Sequence, residues 1–212
     1  MFDSDPYRIA RILIDVGALK ISVEEPFRYA SGIFSPIYCD NRLLLSCPQQ
    51  REAVIEEFLA KLCEYDVEAI AGTATAGIPH AAWLAHNLRL PMFYVRGESK
   101  SHGKQQKIEG GSVDGKKVAL IEDLVTTGGS SINALKSLRE AGAKVVCCLS
   151  IFSYGFLEPL REFENLDVPY ESLGSFKDLI NLLEDSDEIS PADLKELKDW
   201  HSNPSGWKLN RV

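Results

Sequence analysis

The 212-residue sequence lacks the marks of several large classes of protein. No stretch approaches the roughly 20 consecutive apolar residues of a membrane-spanning helix. The acidic first residues, MFDSDP, do not resemble a secretory signal peptide. A net charge of −8 argues against a general nucleic-acid-binding protein, and the five cysteines show no C-x-x-C pair or metal-site spacing. We therefore expect a cytoplasmic globular protein with reduced thiols and with no membrane or nucleic-acid partner.

What the sequence does have is an alternation of strand-like and helix-like segments. Short β-prone apolar runs are separated by segments with helical spacing of apolar residues. This pattern predicts an α/β fold with a central, mainly parallel sheet flanked by helices. We expect a single domain over residues 1–212, with an N-terminal part (1–45), a core (66–152) that includes a mobile loop (97–115), and a helical C-terminal part (153–212).

The segment 118–131 combines features of a site for a phosphorylated sugar. A β-prone run ends in two adjacent carboxylates, Glu122 and Asp123, and a turn of glycine and hydroxyl residues leads into a helix. Free N–H groups at a helix start favour an anion, and glycines let the backbone approach it. The carboxylates would repel a phosphate, so they suit sugar hydroxyls or positive charge on the sugar ring. Neither a P-loop lysine nor a G-x-G-x-x-G motif is present.

The segment 96–107 is cationic within an anionic chain. It has one arginine, three lysines, one histidine and a single acidic residue, with almost no apolar side chain. Such a composition is typical of a mobile loop. One interpretation is a solvated surface loop; the other is a loop that closes over a pyrophosphate leaving group and neutralises its charge.

The run from Ile121 to Ser130 resembles the phosphoribosyl-pyrophosphate signature of type I phosphoribosyltransferases. The resemblance implies that fold, with residues 1–45 as a small hood. It also implies that the acids hold the ribose hydroxyls and that the turn holds the 5′-phosphate. The residues implied in binding are Glu122, Asp123, Leu124, Val125, Thr126, Thr127, Gly128, Gly129 and Ser130.

The cationic loop resembles the Arg-x-x-x-Lys-x-His-Gly loop of orotate phosphoribosyltransferases. The match at Arg96, Lys100 and His102 implies contacts with the pyrophosphate, and Lys100, His102 and Asp123 are the implied catalytic residues. The resemblance also implies Mg²⁺ bound mainly through phosphoribosyl pyrophosphate, without direct side-chain ligation. It further implies a homodimer in which loop 97–111 reaches the neighbouring site. Lysines found in family members are replaced here by Ala30, Phe34, Ala76, Gly97 and Glu98.

Residues 27–42 resemble the N-terminal segment of orotate phosphoribosyltransferases, Phe-Thr-x-x-Ser-Gly-x-x-Ser-Pro-x-Tyr. This implies transfer of the 5-phosphoribosyl group to orotate, giving orotidine 5′-monophosphate and pyrophosphate in de novo pyrimidine biosynthesis. The predicted orotate contacts are Thr126, Phe34, Ser35 and, on charge alone, Arg42. Two alternatives are a purine phosphoribosyltransferase, which would lack the 27–42 segment, and a regulator that binds phosphoribosyl pyrophosphate, which would need a DNA-binding domain.

Overall fold

The computed structural model describes residues 5–29, 32–97, 107–186 and 189–207. Within these ranges, helices and strands alternate as the sequence predicts. In chain order they are α1 (Arg8–Asp15), β1 (Leu19–Ile21), β2 (Phe27–Arg28), β3 (Phe34–Ser35), β4 (Ile37–Cys39), a 3-10 helix (Asn41–Ser46), α2 (Pro48–Leu62), β5 (Ala69–Thr73), α3 (Gly77–Leu88), β6 (Met92–Val95), β7 (Ile108–Glu109), β8 (Lys117–Val125), α4 (Gly129–Glu140), β9 (Lys144–Ser153), α5 (Leu157–Asn165), β10 (Tyr170–Ser175), α6 (Phe176–Ser186) and α7 (Pro191–Ser202).

Two units can be distinguished: a terminal unit, Met1–Cys47 with Gly174–Val212, and a sheet unit, Pro48–Leu173. The core range predicted from the sequence, 66–152, falls inside the sheet unit, whereas the two chain ends share the other. None of the helices in the described ranges has the length and apolarity that crossing a membrane requires.

The terminal unit is held together by aromatic residues near the end of the chain. Trp200 is 1% exposed, and its indole Nε1 donates a hydrogen bond to the carbonyl oxygen of Phe34 at 3.1 Å. The rings of Phe176 and His201 stack with their centroids 4.2 Å apart. In the same unit β1 pairs with β4, and β2 with β3, both antiparallel. The aromatic side chains of α7 are therefore packing residues.

A six-stranded sheet forms the centre of the sheet unit, in the order β10-β9-β8-β5-β6-β7. The pairs β5–β6, β5–β8 and β8–β9 are parallel, and the short β7 is antiparallel to β6. These pairings confirm the mainly parallel sheet. The chain leaves β5 towards β6 on one side and leaves β8 towards β9 on the other, so the winding direction reverses between β5 and β8. In parallel sheets, ligands bind at the carboxyl ends of strands beside such a reversal.

The inner strands are apolar at successive positions. Val118, Ala119, Leu120 and Ile121 of β8 are all 0% exposed. Burial on both faces is typical of parallel strands covered by helices on either side, and it explains why this run does not alternate between apolar and polar residues.

Two segments differ from the simplest expectation. The described end of the predicted loop 97–115 contains β7 and a buried side chain, Val113 at 2% exposure. The C-terminal part predicted as helical also contains a strand, β10, beside β9. Residues 98–106, in the first half of the predicted loop, lie outside the described ranges.

Candidate active site

The start of α3 lies close to the carboxyl ends of β5 and β8, because glycines stand at the points of contact. A methyl group at Gly77 would lie 2.5 Å from the carbonyl oxygen of Ile121, and one at Gly72 would lie 2.9 Å from the carbonyl oxygen of Gly77. Any larger residue at either position would push the start of α3 away from β8. The turn therefore brings the helix start against the backbone that carries the acid pair.

The two adjacent carboxylates have different surroundings. Successive side chains of a strand point to opposite faces; Glu122 is 4% exposed, while Asp123 is half-buried. The Glu122 Oε1 accepts a hydrogen bond from the N–H of Asp123 at 3.2 Å. Its Oε2 accepts from the hydroxyls of Ser130 at 3.1 Å and Ser131 at 3.0 Å. Asp123 is thus the more accessible acid, and Glu122 is turned towards the first turn of α4.

Burial dominates the protonation of Glu122. Loss of solvent, and then the neighbouring charge of Asp123, raise the pKa of the Glu122 carboxyl to about 8, while the hydrogen bond from Ser131 lowers it. With a pKa of about 8, the neutral form of Glu122 predominates near pH 7.

The turn between β8 and α4 is shaped by Gly128. Its φ is +75°, and a methyl group there would lie 2.7 Å from Cβ of Pro159 in α5. Gly129, by contrast, opens the helix with nothing within 4 Å of the position of an added Cβ. Thr127 and Ser130 are exposed and Thr126 is half-buried. The turn thus presents hydroxyl groups and an uncrowded helix start, both suited to an anion.

The strands on either side hold the base of the cationic loop. The N–H of Arg96 donates to the carbonyl oxygen of Lys107 at 2.8 Å, which joins the two ends of the loop. The Arg96 guanidinium Nη1 lies 3.0 Å from Oε1 of Glu109 in β7. The other two predicted loop contacts, Lys100 and His102, lie outside the described residues. The roles of all three towards pyrophosphate stay predictions.

The predicted orotate contacts Phe34, Ser35 and Arg42 belong to the terminal unit. The Ser35 hydroxyl is fully buried and donates to the carbonyl oxygen of Ile37 at 2.7 Å. The exposed Arg42 guanidinium bonds both carboxylate oxygens of Asp40, at 2.6 and 2.8 Å. The structure thus gives both side chains local partners, and their contact with a base stays a prediction.

Two polar residues, Ser131 and Thr73, have surroundings that the sequence did not predict; Ser131 was expected only as a hydroxyl donor of the turn. Ser131 bonds Glu122 directly. Thr73, the last residue of β5, is 3% exposed, and its hydroxyl has no hydrogen-bond partner among the described residues. In those same residues, no group of three or more His, Cys, Asp or Glu side chains is placed to hold a metal ion. The sequence shows two serines after the glycines, but nothing in it indicates which of them is buried against Glu122.

Comparison with known proteins identifies consistent relatives. A family model described as a phosphoribosyl transferase domain matches residues 48–161, which include both turns and the acid pair. The chain is 47% identical over 199 residues to an orotate phosphoribosyltransferase of Staphylococcus saprophyticus, covering 93% of this chain and 98% of that protein.

Solved structures are similar as well. The orotate phosphoribosyltransferase of Aeropyrum pernix matches with a TM-score of 0.73 and 29% identity, covering 83% of this chain and 98% of that chain. The UMP synthase of Leishmania donovani matches with a TM-score of 0.78 and 28% identity over 94% of this chain. The present chain spans 43% of that longer protein.

Proposed function

The chain belongs to the family of orotate phosphoribosyltransferases, and from this membership we propose that it transfers the 5-phosphoribosyl group from phosphoribosyl pyrophosphate to orotate. The products are orotidine 5′-monophosphate and pyrophosphate, and the reaction belongs to pyrimidine nucleotide biosynthesis. One observation carries the proposal at the site: the acid pair lies two residues before the end of β8, and a short turn with Gly128 leads from that strand into α4, beside the reversal of the sheet.

The 5′-phosphate binds at the start of α4. The backbone N–H groups there, the hydroxyls of Thr126, Thr127 and Ser130, and the open space at Gly129 suit a phosphate. Leu124 and Val125 link this turn to the acid pair, so the phosphate and the ribose are held a fixed distance apart. A fixed anchor of this kind contributes to catalysis by positioning the reacting carbon.

The acid pair holds the ribose. The half-buried Asp123 accepts from a sugar hydroxyl, and Glu122 contributes from its position behind it. When the bond to pyrophosphate breaks, positive charge develops on the ribose ring, and fixed carboxylates stabilise that charge without having to reorganise. Asp123 is therefore the carboxylate on which the rate depends most.

Cationic side chains neutralise the departing pyrophosphate. Arg96, Lys100 and His102 neutralise it as the loop closes, and the joined loop ends at Arg96 and Lys107 support a hinge at this place. Mg²⁺ would be held mainly by oxygens of phosphoribosyl pyrophosphate, without direct ligation by a side chain, as is usual for this ion. When bound, it supplies further neutralisation of the leaving group.

The assembly and the location of the enzyme form part of the proposal. The protein acts as a cytoplasmic homodimer in which loop 97–111 serves the neighbouring site; five free cysteines support a reducing compartment. A mixture of Lys100→Ala and Asp123→Asn subunits tests the shared site, because one site of each mixed dimer would combine both wild-type contributions. Mixed dimers without regained activity would contradict the proposal that the loop of one subunit serves the site of the other.

The test of the catalytic role is orotate-dependent release of pyrophosphate by Asp123→Asn. We expect a fall in kcat of roughly 10²–10³, the usual effect of removing one stabilising group from a reacting centre. Asp167→Asn is the matched control: this exposed residue has a φ of +50°, which asparagine also tolerates, and it takes no part in the site. Equal activity of the two variants would contradict the role of Asp123.

A further inference from the structure

Two neighbouring serines in the first turn of α4 differ in accessibility. Ser130 is exposed, whereas Ser131 is 0% exposed. Both hydroxyls donate to the same Glu122 oxygen, at 3.1 and 3.0 Å. Ser130 can turn towards a ligand in solvent, but Ser131 faces only the interior and Glu122.

The surroundings of Glu122 leave its charge dependent on these hydrogen bonds. Within residues 5–29, 32–97, 107–186 and 189–207, the titratable groups that face it are Asp123 on its own strand, the fully buried Cys148 of β9, and Tyr170 of β10. Ser150, the register partner of Glu122 on β9, lies with its hydroxyl 2.8 Å from the Tyr170 hydroxyl. None of these groups is a cation. A buried carboxylate without a cation is stabilised in its charged form only by hydrogen-bond donors.

We propose that Ser131 is a positioning residue that holds the Glu122 carboxylate in place for the ribose, which leaves Ser130 free to turn to the 5′-phosphate. When Ser130 turns away, Glu122 keeps its hydrogen bonds from Ser131 and from the N–H of Asp123. Ser131 thus bonds the carboxylate of Glu122, while Ser130 bonds the 5′-phosphate. This assignment rests on the proposed function, since it concerns binding of phosphoribosyl pyrophosphate at the same turn.

Removal of the Ser131 hydroxyl should act through the charge of Glu122. That hydrogen bond opposes burial and the Asp123 charge, which together raise the Glu122 pKa to about 8. Without it the pKa rises further, and a smaller fraction of the acid is ionised at neutral pH. Binding of the ribose then requires a higher pH, whereas binding of orotate does not.

The experiment compares Ser131→Ala with Ser137→Ala. Ser137 lies on the same helix and is also buried, but its hydroxyl donates to the backbone carbonyl of Asn133 at 2.9 Å. We measure kcat and KM for phosphoribosyl pyrophosphate and for orotate at pH values on both sides of 8, together with the melting temperature.

For Ser131→Ala we expect a loss of about tenfold or more in kcat/KM for phosphoribosyl pyrophosphate, as is typical of losing a hydrogen bond to a charged group. The acidic limb of the pH profile moves to higher pH, KM for orotate is unchanged, and Ser137→Ala behaves as wild type. If Ser131→Ala melts below the assay temperature, Ser131→Cys, a similar shape with a weak donor, replaces it and should give the same shift.

Two results would overturn the inference. One is that the Ser131 and Ser137 variants have the same kinetics. The other is that activity falls equally at every pH, with the acidic limb in place, because Ser131 would then act on something other than the Glu122 charge. A wild-type protein that does not consume orotate would instead refute the proposed function, and this is visible before any variant is compared.

Discussion

Replacement of Gly128 by alanine tests how closely the turn between β8 and α4 packs against α5. An alanine at φ +75° occupies a left-handed conformation, at a cost of about 1–2 kcal/mol. Its Cβ would also lie 2.7 Å from Cβ of Pro159, well inside the ordinary carbon–carbon contact of about 3.5–4.0 Å. Relieving such overpacking typically costs about 1–3 kcal/mol. We therefore expect Gly128→Ala to lower the free energy of unfolding by roughly 2–5 kcal/mol.

The neighbouring Gly129 supplies the control. It is the first residue of α4 and has open space around the position of an added Cβ. Alanine is a better helix former than glycine, so Gly129→Ala should leave the free energy of unfolding unchanged or raise it by up to about 1 kcal/mol. Urea unfolding at one pH measures both variants. Equal stability of the two, or a less stable Gly129→Ala, would refute the packing of Gly128 against α5.

Three further predictions concern charge. Lys100→Ala should lose about 3 kcal/mol of transition-state stabilisation, or roughly 10²–10³ in rate. The matched control is Lys144→Ala at the exposed start of β9, which should leave the rate unchanged. An unchanged rate for Lys100→Ala would contradict the role of the loop. Because the folded pKa of Glu122 is raised, its contribution to stability is present at low pH and is lost as the pH rises from 4.5 through about 8. Wild type should therefore lose up to about 1.4 kcal/mol per pH unit relative to Glu122→Gln over that window, and parallel curves from urea unfolding would contradict this. His80 is 1% exposed, and burial lowers its pKa from 6.5 to about 4. The free energy of unfolding should therefore fall by up to about 3 kcal/mol as the pH drops through that window. His80→Phe should not show this loss, and equal acid sensitivity of both proteins would show that another group is responsible.

The strand-turn-helix at the acid pair could be predicted because its signals are local. An apolar run, two acids, glycines and a helical spacing of apolar residues all lie within residues 118–138. The helix α4 begins at Gly129 as that pattern predicts, whereas β8 does not end at the acid pair but continues to Val125. The pairing of β8 with β5 could not be predicted in the same way, because it joins residues about fifty positions apart and depends on the close approach of α3 at Gly77.

The burial of Glu122 has a similar explanation. Alternation along a strand predicts that Glu122 and Asp123 point to opposite faces. It does not predict which face is closed, because both faces of a parallel sheet are covered by helices. Glu122 lies on the face against which α4 packs, and the same packing buries Ser131 and leaves Ser130 exposed.

The strand β10 was missed for a different reason. Its residues, YESLGS, are mostly half-buried and include a glutamate and a glycine, so the sequence shows neither an apolar run nor a clear alternation. Glu171 is nevertheless well placed, since its carboxylate accepts from Lys61 Nζ and from the Tyr65 hydroxyl, both at 2.7 Å. These partners lie more than a hundred residues away, beyond the reach of a local pattern.

The most direct test of the proposed function is the choice of base. Purified protein is given phosphoribosyl pyrophosphate and Mg²⁺ and is challenged separately with orotate, uracil, hypoxanthine, guanine and adenine, while release of pyrophosphate is followed. We predict release with orotate, with formation of orotidine 5′-monophosphate, and none with the purines. Turnover of a purine without turnover of orotate would contradict the assignment.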